Sequence, residues 1–393
     1  MLNKEGSRAL AYTARCGKIE KIEGADNIEL MSVLGWKVIV KIGEFHEGDM
    51  CVYFEIDSKL PEKEWSEFMA PKKYKVKTMK LGKFNVISQG LALPVSVFDV
   101  TIPSEEGADV TSLLGVTYSV EEDNARKGKG DPDAKYKSMA ARHQKIFKKN
   151  WARWLMRRAW GKKLMFVFFG KKKDKPLAFP THFPFVHKTD EERCENLVNV
   201  VLGYERPLIV TEKLDGTSST YILERLGKKK FEFYVLSRNV RQKTPDQKCW
   251  HEKNIYWEMA FKYNIEQNLK DYLMANPELK YVCIQGESVG SVQGNPLKLK
   301  EDDFYAFNFI RSDVGRVDSI TGKNIVSTWN IKWVPILDTN YMMPTDMEEF
   351  KKFATAKSAI SPNILREGVV LRDPTNDFSF KNVSREYLLK HNE

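Results

Sequence analysis

The sequence predicts a multidomain fold: an N-terminal β-barrel, a basic helical segment, and a C-terminal α+β domain. Three observations lead there. The chain has 393 residues, more than one core ordinarily organises, so two or three domains are expected. Its first hundred residues carry short apolar alternations broken by glycine-containing turns. From about residue 180 onward, strand-like runs alternate with polar turns around one helical stretch.

In the first part, Trp36, Val38, Val40 and Ile42 alternate with Lys37, Ile39 and Lys41, the period of a strand with one buried face. A Glu47-Gly48-Asp49 turn leads into a second apolar strand over 51–56, and further strands are expected over 74–79 and 84–93. Several short strands in this space suggest a small barrel, and the OB type is the version that binds nucleic acid. With a connector containing Pro103 and Gly107, this domain is assigned to residues 1–120.

The middle segment, 121–178, holds the charge. Residues 126–175 contain 18 Lys and Arg against 3 Asp, a net +15 in a chain of net +10, so the remainder is −5. A field of one sign in so short a stretch suits a polyanionic partner. A helix is expected here, with Met139, Ile146, Phe147, Trp151, Trp154 and Leu155 near one face and Lys145, Lys148, Lys149, Arg153, Arg157 and Arg158 on the others. Its tryptophans are expected to pack on a neighbouring domain.

Other classes are set aside. With 42% hydrophobic and 30% charged residues the chain is globular. The apolar run 164–169 is six residues long, where a membrane helix needs about 20. The N-terminal residues Met1 to Gly6 lack the apolar core of a secretory signal, so an intracellular, soluble protein of the cytoplasm or nucleus is expected, acting as a monomer. Cys16, Cys51, Cys194, Cys249 and Cys283 include no Cys-x-x-Cys pair, and the histidines no His-x-x-x-His spacing, which argues against disulfides and histidine-bound metal.

The C-terminal domain, 179–393, is expected to place strands at 208–211, 231–236, 281–285, 303–310, 368–371 and 378–381, and a helix at 251–273. One position stands out. The apolar run Pro207-Leu208-Ile209-Val210 ends in Thr211-Glu212-Lys213-Leu214-Asp215-Gly216. Asp-Gly alone is a common turn. A lysine there could also be a nucleophile, attacking an α-phosphate and displacing pyrophosphate. Only the free base attacks, and an amine of pKa ~10.4 is ~0.1% deprotonated near neutral pH. Lowering that pKa to ~8 takes about 3.3 kcal/mol of differential stabilisation, which burial and nearby cations can supply. A cationic pocket is therefore expected around Lys213.

Lys213-Leu214-Asp215-Gly216-Thr217-Ser218 resembles the Lys-x-Asp-Gly motif of the covalent nucleotidyltransferases, which are DNA ligases, RNA ligases and mRNA capping enzymes. Further resemblances follow in order: Ser237-Arg238-Asn239, Gln285-Gly286-Glu287 with Gln293-Gly294-Asn295, Phe304 to Phe309, Arg366-Glu367-Gly368-Val369-Val370-Leu371-Arg372, and Ser379-Phe380-Lys381. The segment around Phe183-Pro184 and Lys188 to Arg193 is also similar to RNA ligases. Only twelve residues follow Lys381, too few for the barrel that DNA ligases and capping enzymes append there. The order, barrel first, resembles the ATP-dependent RNA ligases with an N-terminal OB module.

The resemblance implies a nucleotidyltransferase domain of the ATP-grasp-like ligase kind and ATP-dependent joining of 3′-hydroxyl to 5′-phosphate RNA ends, with nicks in duplexes as the expected substrate. A DNA ligase or a GTP-dependent capping guanylyltransferase is the alternative, and a non-catalytic RNA-binding protein derived from a ligase is the second. By the same resemblance Lys213 takes AMP, Glu212 contacts adenine, Glu287 the ribose and Phe307 stacks on the base. Asp215 and Gly216 complete the nucleotide site. Arg238 and Lys381 face phosphates, and Glu367 with Asp215 holds hydrated Mg²⁺ or Mn²⁺. Many relatives carry Lys-x-Lys in the last motif. Ser379 occupies the first of those places here, leaving Lys390 or the basic segment as sources of the second cation.

Overall fold

The computed structural model describes residues 8–118, 136, 139, 143–147, 149–169, 177–245, 254–375 and 378–391. The chain forms two compact units: residues 1–117 with 176–393, and 118–175.

The first unit opens with the barrel. Strand β1 (Ala11–Arg15) pairs antiparallel with β4 (Met50–Phe54), which pairs with β5 (Leu91–Pro94). Strands β2 (Ile28–Val33) and β3 (Trp36–Lys41) form a hairpin within a second sheet. The alternation read from the sequence is physical: Trp36, Val38 and Val40 point inward with Tyr12, Met31 and Tyr53. Ile42 lies past the strand end and is 51% exposed. The strand expected over 74–79 does not form. Lys73 and Tyr74 both take left-handed backbone, at φ 55° and 59°, which interrupts an extended run; beyond them Lys75 makes a single bridge to Lys59 and Val76 bonds to Asp57 and Ser58, and a strand forms at Met79–Leu81.

The rest of this unit holds two sheets. A five-stranded sheet runs in the order β6 (Glu192–Arg193), β14 (Ser379–Val383), β13 (Gly368–Arg372), β7 (Leu208–Lys213) and β12 (Ile336–Tyr341). An eight-stranded sheet has at its centre β9 (Phe231–Ser237), β8 (Thr217–Arg225), β10 (Tyr281–Val289) and β11 (Asp303–Arg311). Each sheet has its own core. Val210, Val369, Leu371 and Phe380 gather under the small sheet, and Tyr221, Ile284, Phe304 and Phe309 under the large one.

The helix expected over 251–273 is two helices, Ile255–Lys262 and Ile265–Ala275. Asn264 between them sits at φ 48°, a left-handed conformation that asparagine tolerates and a helix does not; residues 251–253 lie outside the described ones. Cys16, Cys51, Cys194 and Cys283 are buried free thiols, and Cys249 lies outside the described residues. Among the described residues no helix is long and apolar enough to cross a membrane.

In the second unit the expected basic helix is broken into pieces, including α1 (Asn150–Met156) and α2 (Ala159–Phe169). The expected face persists in part: Met139, Ile146, Phe147 and Leu155 pack together. Ala152, Met139, Tyr136 and Met165 make the small core, while Trp151 and Trp154 are each 51% exposed rather than packed away. The Arg158 guanidinium lies 3.6 Å from the centroid of the Trp154 ring.

Candidate active site

The chain's passage from one sheet to the other builds the site. Strand β7 is buried through Glu212 and ends at Lys213; Leu214 to Gly216 then cross to the large sheet, where β8 begins at Thr217. An apolar strand thus ends on a lysine because its last residue leaves the core for the space between the sheets. Gly216 allows the crossing. A Cβ there would meet the Ser288 carbonyl oxygen, Val289 Cγ1 at 2.9 Å and Glu287 Cγ at 3.0 Å.

All nine residues singled out from the sequence line one cavity of about 370 Å³: Glu212, Lys213, Asp215, Gly216, Arg238, Glu287, Phe307, Glu367 and Lys381. Lys213 pairs with Gly368 across the small sheet, which sets the preceding Glu367 beside it. Lys213 Nζ donates to Glu367 Oε1 at 2.6 Å. Glu287 comes from β10, opposite Ser218, and Asp215 accepts a 2.6 Å hydrogen bond from the Tyr387 hydroxyl.

Arg193, Arg238, Arg372 and Lys381 line the cavity, but among the described residues the charges that act most on the amine are acidic. Burial would lower the Lys213 pKa, but the charges of Glu367, Glu287 and Asp215, with the Glu367 hydrogen bond, outweigh it and hold the amine above its usual range. The acids feel the same crowding. Burial pushes Glu287 up to about 8, aided by Glu367 and Asp215 and opposed by Lys213.

Glu212 is 2% exposed, not a surface carboxylate. Its Oε2 accepts from the Ala359 amide at 2.8 Å, while the buried Oε1 has no hydrogen-bond partner among the described residues. Burial raises its pKa, opposed by Ser358, the Ala359 amide and Arg366. An unsatisfied buried acceptor is costly and marks where a ligand's donor fits. Phe307 is the partly exposed residue in the middle of buried β11, with the Arg372 guanidinium 5.8 Å from its ring centroid.

On the other side, Asp190 bridges two of the expected cations: Arg238 Nη2 donates to its Oδ2 at 2.6 Å and Lys381 Nζ to its Oδ1 at 3.1 Å. Lys390 is not among the cavity's lining residues, whereas Arg193 and Arg372 are. The sequence reading assigned neither of these a role. Arg372 stands directly across the β13–β14 ladder from Ser379, and burial draws its pKa down to about 10 against the pull of Glu191. Arg372 and Ser379 both donate to Glu191, at 3.2 and 2.5 Å. A hairpin register drawn from the two strand-like runs would have revealed this pairing.

Comparison with known proteins agrees with this geometry. An OB-fold domain model matches residues 10–95 and an RNA ligase model residues 206–386. Among solved structures, Naegleria gruberi RNA ligase with pyrophosphate is similar at 28% identity and TM-score 0.62, covering 98% of this chain and 99% of that one. A lysine-to-alanine mutant of the same enzyme with ATP and Mn, and a glutamate-to-alanine mutant with AMP and Mn, each match at 27% identity and TM-score 0.63, with the same coverage. No relative is found among curated protein sequences. The chain thus carries an OB-fold domain ahead of an RNA ligase domain.

Proposed function

We propose that the protein seals RNA 3′-hydroxyl and 5′-phosphate ends with ATP, through a lysyl-AMP and an adenylylated RNA. The observation that carries this is Lys213 at the sheet crossing, in contact with Glu367 and in one cavity with Glu212, Glu287 and Phe307. The similar Naegleria structures hold ATP or AMP with Mn, which supports the same donor here.

In the first step the neutral Lys213 amine attacks the α-phosphorus; a P–N bond forms, the bond to the β-phosphate oxygen breaks, and pyrophosphate leaves. The proton shared with Glu367 must depart first. In the second, an oxygen of the RNA 5′-phosphate bonds to the adenylyl phosphorus, the P–N bond breaks, and the Lys213 nitrogen leaves as an amine after taking up a proton. In the third, the 3′-hydroxyl attacks the activated 5′-phosphorus, loses its proton and expels AMP. Glu212 Oε1 is placed to accept from the base, Phe307 to stack on it with about 1–3 kcal/mol, and Glu287 to hold the ribose. Lys381 and Arg238 offer fixed charge to the phosphates.

The carboxylates around Lys213 also fit a divalent cation. Glu367 and Asp215 supply negative charge that Mg²⁺ or Mn²⁺ would relieve, while Glu287, pushed up to about 8 by burial and its acidic neighbours, is largely neutral near pH 7. Such ions are held by one or two carboxylates, with waters and substrate phosphates completing the shell. When bound, the ion supplies charge neutralisation at the phosphate.

Incubation with labelled ATP or GTP and manganese, followed by denaturation, tests the donor: label from ATP alone on Lys213 is expected, and label from GTP or none would overturn the reading. Gly216→Ala should slow adduct formation by on the order of tenfold to a hundredfold, because its Cβ displaces Glu287 or the Ser288 strand. The single-turnover rate checks this, with a thermal melt confirming the fold.

We assign RNA binding to the barrel and the basic segment, with boundaries near 1–120, 121–178 and 179–393, in an intracellular monomer acting at duplex nicks. If about six phosphates are neutralised, RNA affinity should fall ~10³-fold between about 50 and 200 mM salt, measurable by filter binding.

A further inference from the structure

The nucleotide cavity contains an anion of its own. Asp190 lies in the loop before β6, and its two carboxylate oxygens are shared between Lys381 Nζ at 3.1 Å and Arg238 Nη2 at 2.6 Å. These cations come from different sheets, Lys381 on β14 and Arg238 just beyond β9, so nothing in either sheet fixes their separation. One bidentate acid draws them together, much as two oxygens of a phosphate would.

The neighbouring Glu191 behaves differently. It binds Ser379 at 2.5 Å and buried Arg372 at 3.2 Å, with a side chain 24% exposed, against 55% for Asp190. Glu191 is part of the wall; Asp190 stands in the opening, where it can swing out.

We propose that Asp190 is a resident stand-in for phosphate. It occupies donors of Lys381 and Arg238, and the phosphates of ATP, or the pyrophosphate formed from it, compete with it for them. This rests on the reading of those two cations as phosphate contacts. Each N–H given to Asp190 is one fewer for a phosphate, although both cations carry others, and a carboxylate left beside a triphosphate repels it. Asp190 therefore weakens the hold on phosphates and favours pyrophosphate release after the amine has reacted. It sets the affinity of the site and takes no part in bond making.

The test compares Asp190→Asn and Asp190→Ser with the unaltered protein. Pyrophosphate binding is read by calorimetry, and the KM for ATP in adduct formation is separated from the saturating rate. Two exposed ion pairs are individually weak, so binding should tighten by about three- to tenfold in both variants. KM should fall by a similar factor, and inhibition by added pyrophosphate should strengthen. Unchanged or weaker pyrophosphate binding in both variants would overturn the proposal, since a residue that merely orients Lys381 and Arg238 weakens the site when removed. Failure of the unaltered protein to form any adduct would instead sink the ligase reading, leaving the pyrophosphate titration to judge Asp190 independently.

Discussion

Lys213→Ala should abolish the ATP-derived adduct and reduce sealing of 5′-phosphate RNA by at least about 10³-fold, the remainder being what binding and charge stabilisation supply without a nucleophile. The same variant should still join RNA whose 5′ end already carries AMP, because the last step needs no lysine to be adenylylated. A variant that loses both reactions equally would make Lys213 a structural residue. With the lysine present, the rate should rise with pH through the neutral and alkaline range. Burial favours the neutral amine, but Glu367, Glu287 and Asp215 raise the pKa of Lys213, and only the deprotonated form attacks. Rapid-quench measurement of adduct formation against pH checks the slope.

The second large effect concerns stability. Glu195 and Lys351 are 2% and 3% exposed and pair at 2.7 Å, with Lys351 also donating to the Val383 carbonyl at 3.0 Å. Lys351→Met strands a buried carboxylate and should cost about 3–5 kcal/mol, read as a lower urea midpoint at neutral pH. Adding Glu195→Leu should recover part of the loss. Burial alone would raise the Glu195 pKa, yet Lys351 and Arg193 hold it at about 2 against an ordinary 4.5. The lowered pKa means the folded state releases this proton more readily than the unfolded chain. Its contribution, up to about 3 kcal/mol, is therefore complete above 4.5 and is lost as pH falls from there towards 2. In Lys351→Met the sign reverses: the unpaired, buried acid gains a raised pKa, so acid should relieve rather than add to the damage.

Much of the site was legible because its signals are local. An apolar run ending in Lys213-Leu214-Asp215-Gly216 reports both a strand and where it leaves the core, and the alternation at Trp36, Val38 and Val40 reports a face. What could not be read was set by distant partners or by single backbone angles. Asn264 interrupts a periodic helix by adopting φ 48°, which composition does not dictate. The acidic surroundings of Lys213 follow from strand pairing that brings Glu367 and Glu287 together over 154 and 74 positions of chain. Trp151 and Trp154 are half exposed, and the continuous period that seemed to bury them crosses the interruption between the helices Gln144–Phe147 and Asn150–Met156.

The final helix, Arg385–His391, connects distant parts of the first unit. Its first residue, Arg385, donates to the Gly35 carbonyl in the β2–β3 turn of the barrel, and two positions later Tyr387 donates to Asp215 beside the reactive lysine. Barrel and catalytic centre therefore share one short lever. Tilting the barrel against the ligase domain must either break the Arg385 grip or drag the acid next to the amine, so the module proposed to handle the nucleic acid is mechanically geared to the residue pair where the proposed chemistry would begin.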